Sequence, residues 1–208
     1  PTTTIASKDY LIQLVQLAEK YNFLLCSDEC YNDLYMENQP ASVLDIDSEN
    51  WVCFRSLSKR SHMTGYRSGA IMSKNKKIMA NLKKLRSPMG VGTPSFIQSA
   101  ATWAWSDDTH VENNRKLYNQ KRKKVRTALV NAGLDVFAGD AGFYMWVKSN
   151  DHHSSQALSE WFLERNILVT PGTVFGDDGD PYIRLVFCLK DDQIDELCKN
   201  INGESLQK

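Results

Sequence analysis

The sequence predicts an α/β fold, a mostly parallel sheet with helices on both faces, followed by a small α+β domain. Three observations predict it. The runs "FLLCSDECY", "WVCFRSLS" and "SGAIMS" are continuously apolar at their centres, as expected of strands buried on both faces. Stretches with helical apolar spacing alternate with these runs, which argues for strand–helix crossovers and a largely parallel sheet. Beyond Gly133 the pattern changes to short strands interleaved with two amphipathic helices.

The elements follow in order. "SKDYLIQLVQLAEKYN" places Leu11, Ile12, Leu14, Val15, Leu17 and Ala18 at helical spacing, with Ser7 as N-cap and Asn22 near the end. The three strand-like runs come next, and a helix is expected from Lys74 to Arg86. "SPMGVGTP" breaks that helix with two prolines and two glycines. Further helices are expected over 95–105 and 110–131. The second contains the basic run "RKLYNQKRKKVR", which reads as a solvated face with Val111, Leu117, Tyr118, Val125, Leu129 and Val130 turned inward. "LDVF", "FYMWVKS", "NILVT" and "YIRLVFC" read as strands of the second domain, and helices are expected over 154–165 and 191–201. A boundary near Asp108 divides a cofactor-binding part, 1–108, from a small domain, 109–208.

Composition narrows the function classes. Lys plus Arg and Asp plus Glu number 25 each, so no global field favours nucleic acid or an acidic membrane. No apolar run approaches the roughly 18 residues of a membrane span. Five cysteines without a CxxC pair read as reduced thiols of a cytoplasmic protein. The adjacent pair His152–His153 lies in a polar turn, so no metal site is expected. The chain opens at Pro1 inside a threonine run, which reads as the middle of a longer protein.

The chemistry centres on "SLSKRSHMTGYRSG". A lysine is ordinarily protonated and a poor nucleophile; burial or a nearby cation makes its amine reactive toward carbonyls. Lys59 follows an apolar strand, with Arg60 and Arg67 close in sequence. Ser56, Ser58 and Ser61 offer small hydrogen-bonding groups, and Gly65 and Gly69 permit close backbone approach around Arg67. Serine, arginine and backbone freedom suit a phosphate, and an amine beside a phosphate site suggests pyridoxal phosphate held as a Schiff base. That cofactor needs a carboxylate to keep its pyridine nitrogen protonated. "SDECY" offers Asp28 at the end of a strand, with Tyr31 three residues later to reach the ring phenolate.

Asp28 and Tyr31, Ser56-x-Ser58-Lys59, Arg67 and the late Arg184 in "YIRLVF", together with "AGFYMW" and "ILVTPGTVFG", resemble the fold-type I pyridoxal-phosphate aminotransferases of class I/II over essentially the whole chain. "SLSKRS…GYRSG" is most similar to the succinyldiaminopimelate aminotransferase branch, with His62 where that pattern has asparagine. The resemblance implies the C-terminal part of such an enzyme: part of the large pyridoxal-phosphate-transferase domain plus the small domain. It implies amino-group transfer from an amino acid to a 2-oxo acid, a homodimer, and a missing N-terminal half without which the fragment is inactive. It implies that Lys59 binds the cofactor aldehyde and moves the proton at Cα, that Asp28 pairs with the pyridinium and Tyr31 with the phenolic oxygen, that Ser56, Ser58 and Arg67 hold the phosphate, and that Arg184 binds the substrate carboxylate.

Bland readings stand beside these. Asp28 alone would serve as a helix cap, Arg184 as a structural ion pair, Ser58 as a packing serine and His62 as a loop residue. Tyr66, Trp146 and Phe175 read as core or pocket wall. Ser56-x-x-Lys59 also fits the serine–lysine signature of β-lactamases, but the later SDN and KTG motifs are not in the sequence. Two rivals share the same scaffold: a lyase or decarboxylase, and the aminotransferase-like ligand-sensing domain of a transcription regulator.

Overall fold

The computed structural model describes residues 1–137, 139–151 and 153–203. Two compact units are distinguished, Ile5–Arg115 and Pro1–Thr4 with Lys116 onward. The N-terminal residues join the latter because the Thr3 carbonyl accepts hydrogen bonds from Asp140 N and Ala141 N.

The first unit opens with helix α1, Lys8–Tyr21. Ser7 Oγ caps it by accepting from Tyr10 N at 3.2 Å. Asn22 ends it in the left-handed conformation, φ 53°, with its N–H turned back to the Ala18 and Glu19 carbonyls. Strand β1, Leu25–Asp28, runs parallel to β2, Trp51–Ser56, in the register Leu25↔Trp51 to Asp28↔Phe54. β2 also pairs with β3, Gly69–Met72, which is antiparallel. Leu11 and Val15 of α1 and Val43 of the short turn Val43–Asp45 pack on Trp51 and Cys53, with Leu25 and Met72 at the margin. That buries one face of the sheet. The other face behaves differently from expectation at β1, where Cys26 and Asp28 are exposed. Among the described residues, β2 is the one strand paired with β1, and the Cys26–Asp28 side of β1 is left exposed.

A single helical turn, α2 (Leu57–Arg60), follows β2 directly. Leu57 is fully buried against Ala101 and Ala104 of helix α4, Ser95–Ser106. Helix α3, Lys76–Arg86, is capped by Asn75 and buries none of its residues.

Helix α5, Thr109–Asn131, contains the division between the units. Val111, Tyr118, Val125 and Leu129 are buried as their spacing requires. Leu117 and Val130, expected inside, are 39% and 48% exposed. Arg122 takes the inner stripe instead, 4% exposed, at the i+4 step from Tyr118 and the i−3 step from Val125. Its guanidinium donates to the carbonyls of Gly139, Ala141 and Gly142 at 3.1, 2.5 and 2.6 Å. The basic run is therefore solvated on one side only, and one of its charges is structural.

The second unit is an antiparallel sheet of β4 (Asp135–Val136), β5 (Tyr144–Lys148), β6 (Thr170–Pro171) and β7 (Ile183–Val186), in the order β4-β5-β7-β6. Helices α6, Ser155–Leu163, and α7, Asp191–Ile201, contribute Leu158, Phe162, Ile194 and Ile201 to a core shared with Leu129, Ile183 and Leu185. Gly172 of "TPGTVFG" is required by packing: a Cβ there would lie 2.0 Å from the Gly179 carbonyl oxygen.

Replacing Arg122 with alanine strips three buried carbonyls of their donor. The expected cost is about 3 kcal/mol, read as a lower midpoint of chemical denaturation, with Arg122→Lys recovering part of it. An unchanged midpoint for Arg122→Ala shows that these contacts contribute nothing net.

Candidate active site

The turn that carries Lys59 is set by Ser56. Its Oγ accepts from Ser58 N at 3.2 Å, which ends the strand and starts α2. The sequence reading extended the strand through Ser58; the cap stops it at Ser56 and places Lys59 on a helical turn. Lys59 is half-buried, and its Nζ stands 5.6 Å from the centroid of the Tyr31 ring. Asp28 is the last residue of β1, and its Oδ1 accepts from Cys30 N at 3.1 Å. Because β1 and β2 are parallel, Asp28, Tyr31 and Lys59 all emerge at the C-terminal edge of the pair, where open α/β sheets bind ligands.

The hairpin end of β2 and β3 adds the remaining groups. Ser56 pairs with Gly69, and Leu57 N donates to the Ser68 carbonyl at 3.1 Å. Arg67 precedes that point in the left-handed conformation, φ 51°, exposed, with Nη1 donating to the Thr64 carbonyl at 3.1 Å. A Cβ on Gly69 would stand 2.6 Å from the Arg55 carbonyl oxygen, so the close strand approach that places Arg67 requires glycine. The Ser58 carbonyl accepts from Thr64 Oγ1 at 3.1 Å. His62 also has positive φ, 54°. Asparagine and histidine tolerate that region better than most residues, which is the physical demand behind the asparagine expected there.

Arg184 belongs to the second unit, on β7 between Trp146 of β5 and Thr170 of β6. Its guanidinium carbon lies 4.5 Å from the Tyr144 ring centroid and 4.7 Å from that of Phe175. Its Nε is buried without a hydrogen-bond partner. Phe175 packs against the Trp146 ring and beside the arginine, while Trp146 is buried and Tyr66 is exposed. The six residues from Asp28 to Arg67 gather at one end of one sheet, and Arg184 stands on the other.

A family model described as aminotransferase class I and II matches residues 1–201. The chain belongs to that family. Among its relatives, a probable aminotransferase of Mycobacterium tuberculosis is 33% identical over 199 residues, covering 93% of this chain and 47% of that protein. An LL-diaminopimelate aminotransferase of Dehalococcoides mccartyi is 31% identical over 201 residues, covering 94% of this chain and 52% of that protein. The aromatic aminotransferase from Pyrococcus horikoshii superposes with a TM-score of 0.86 at 26% identity, covering 98% of this chain and 57% of that one. The chain spans about half the length of the curated relatives it matches.

This chain of the class I and II aminotransferase family also contains supporting residues that no motif announced. Glu29, 7% exposed, accepts from Ser27 Oγ at 3.1 Å, Ser42 Oγ at 2.6 Å and Val43 N at 2.9 Å, and pairs with Arg55 Nη2 at 2.9 Å. It fixes the chain immediately after Asp28. Arg60, beside Lys59, is buried and ion-paired with Asp108 at 2.5 Å, under the Trp105 ring. The sequence signal was available in retrospect: an acid directly after Asp28, and a lone arginine within an otherwise apolar β2. Burial pushes the Cys30 thiol up to about 12 and the Cys53 thiol up to about 11, so neither is a ready nucleophile. Among the described residues, no helix is long and apolar enough to cross a membrane, and no three His, Cys, Asp or Glu are grouped as a metal ion would need. His152, one of the adjacent pair read from the sequence, lies outside the described residues.

Glu29→Ala should leave half-buried Arg55 with the longer contact to Asp33, 3.6 Å, as its remaining ion pair among the described residues and cost about 2 kcal/mol, while Glu29→Gln, which keeps an acceptor, should cost less. Thermal denaturation of the two variants tests this; equal losses, or none, would mean that the charge pair is not what holds the end of β1.

Proposed function

We propose that the protein containing this chain moves an amino group from an amino acid to a 2-oxo acid with pyridoxal 5'-phosphate. The observation that carries the reading is Lys59 Nζ over the Tyr31 ring, at the strand edge where Asp28 also ends. The residues fit the cofactor: an amine, an exposed carboxylate, a phenol and the Ser56–Arg67 hairpin end stand at one sheet edge, and Arg184 has a buried N–H without an acceptor. The cofactor, when bound, supplies an electron sink for the electrons left at the amino acid's Cα.

The chain's own residues do the rest. Lys59 Nζ would be the amine that holds the cofactor's aldehyde end, and the base placed to take the proton from the amino acid's Cα. The Asp28 carboxylate would keep the pyridine nitrogen protonated, and the Tyr31 hydroxyl would donate to the phenolic oxygen. Ser56 Oγ, Ser58 and the Arg67 guanidinium would hold the phosphate. Arg184 grips the substrate α-carboxylate between Tyr144 and Phe175, which orients the Cα–H bond. An arginine built to retain a carboxylate favours transamination over decarboxylation. We infer that the remainder of the protein and a second copy complete the site, as in a homodimer; the uncovered Cys26–Asp28 face of β1 supports this.

Borohydride reduction of the cofactor-loaded, full-length protein, followed by peptide mapping, should find the pyridoxyl group on Lys59. Finding it on another residue, or nowhere, overturns the assignment. Arg184→Lys should lower kcat/KM for amino acids by roughly 100-fold, mainly through KM, because a point charge replaces a planar two-pronged donor. An unaltered KM across an amino-acid panel would remove Arg184 from the carboxylate site.

A further inference from the structure

A second group of residues in the first unit has the connectivity of a nucleophilic serine. His110 Nδ1 lies 2.6 Å from Asp107 Oδ2, and His110 Nε2 lies 2.8 Å from Ser61 Oγ. Asp107 is fixed from three sides, since its carboxylate also accepts from Thr109 N at 3.1 Å and His110 N at 3.3 Å. The carboxylate has no proton to give, so Nδ1 carries the hydrogen; in the neutral ring Nε2 is then bare and accepts from the serine hydroxyl. These hydrogen bonds from His110 hold the Asp107 carboxyl at about 2, so it is ionised at neutral pH. Trp103 stacks on the imidazole, 5.7 Å between centroids at 23°, which limits the ring's rotation.

Ser61 and His110 open into a cavity of about 300 Å³, walled by Met63, Tyr66, Ala100, Trp103 and Ala104. That volume is at the small end of ligand sites, and the wall is mostly apolar. A helix cap alone would need Asp107 and the two backbone N–H groups. It would need neither the histidine reaching across to a serine on another element nor a cavity at that serine.

We propose that Ser61, His110 and Asp107 form a second centre that hydrolyses small apolar carboxylic esters. Ser61 Oγ bonds to the ester carbonyl carbon while its proton passes to His110 Nε2. The carbon–oxygen bond to the alcohol then breaks, and the alcohol leaves with that proton. A water molecule, deprotonated by Nε2, attacks the acylated serine, releases the acid and restores the hydroxyl. Tyr66 and Trp103 line the same cavity, and the hydroxyl of one and the indole N–H of the other are the side-chain donors proposed to stabilise the carbonyl oxygen. The centre uses neither Lys59 nor the cofactor, so it stands or falls independently of transamination.

The test treats the full-length, cofactor-loaded protein with a fluorophosphonate and with p-nitrophenyl acetate and butyrate. Mass spectrometry should place the phosphonyl group on Ser61. Ser61→Ala should abolish labelling, and Asp107→Asn, which retains an oxygen to cap α5, should slow ester hydrolysis by roughly 100-fold or more with an unchanged circular dichroism spectrum. Either an unlabelled Ser61 in the folded protein, or hydrolysis by Ser61→Ala at the wild-type rate, overturns the proposal.

Discussion

The buried carboxylate of Glu29 is the constraint on which the first unit's geometry depends. A charge taken out of water is costly unless its lone pairs are used and an opposite charge is close. Glu29 meets both conditions with two serine hydroxyls, a backbone N–H and Arg55. These partners come from β1, from the segment before Val43–Asp45 and from β2, so the network ties the end of one strand to the end of its parallel neighbour. Asp28 immediately precedes Glu29, and Ser56 immediately follows Arg55. The same ion pair that stabilises the fold therefore sets the spacing between the two chain ends that bear Asp28 and Lys59.

The second requirement is that Lys59 not swing with its loop. A four-residue helical turn has almost no stability of its own, because nucleation consumes more entropy than one or two hydrogen bonds return. It is held from outside. Ser56 caps its start, Leu57 is buried against α4, Arg60 is paired with Asp108, and Ser61 is bonded to His110. Consecutive residues after the lysine are thus joined to Asp108 and His110, just before and at the start of α5.

Much of this was legible beforehand where one residue type can do only one thing. Ser7 and Asn22 bracket α1 because a hydroxyl at one end and a left-handed residue at the other are what a helix needs. The strand-edge positions of Asp28 and Lys59 followed from apolar runs ending in polar residues. The misreadings share a physical cause: long side chains and short turns depend on tertiary partners. Arg122 looks like one more surface cation until three converging carbonyls are seen. Leu117 and Val130 fit a loose helical stripe, but the stripe is narrower and runs through Arg122. The cap at Ser56 was hidden because serine also suits the end of a strand, and the His110–Ser61 contact joins residues 49 apart in sequence.

The arginines separate structure from binding more clearly than their positions in the sequence do. Arg55, Arg60, Arg122, Arg165 and Arg184 each have one buried nitrogen without a partner. In the first four, another nitrogen of the same guanidinium meets an acceptor: Glu29, Asp108, a trio of carbonyls, or the Trp161 carbonyl. Each of those charges is compensated within the fold. For Arg184, the contacts seen among the described residues are with the ring faces of Tyr144 and Phe175, and its Nε has no hydrogen-bond partner there. Ring faces attract a cation but accept no in-plane hydrogen bond, so its N–H edge is oriented without being satisfied. In the proposed function, an anion with two coplanar oxygens would supply the acceptor that this buried Nε–H lacks, which is why a carboxylate, and thus an amino or oxo acid, is the occupant we propose for it.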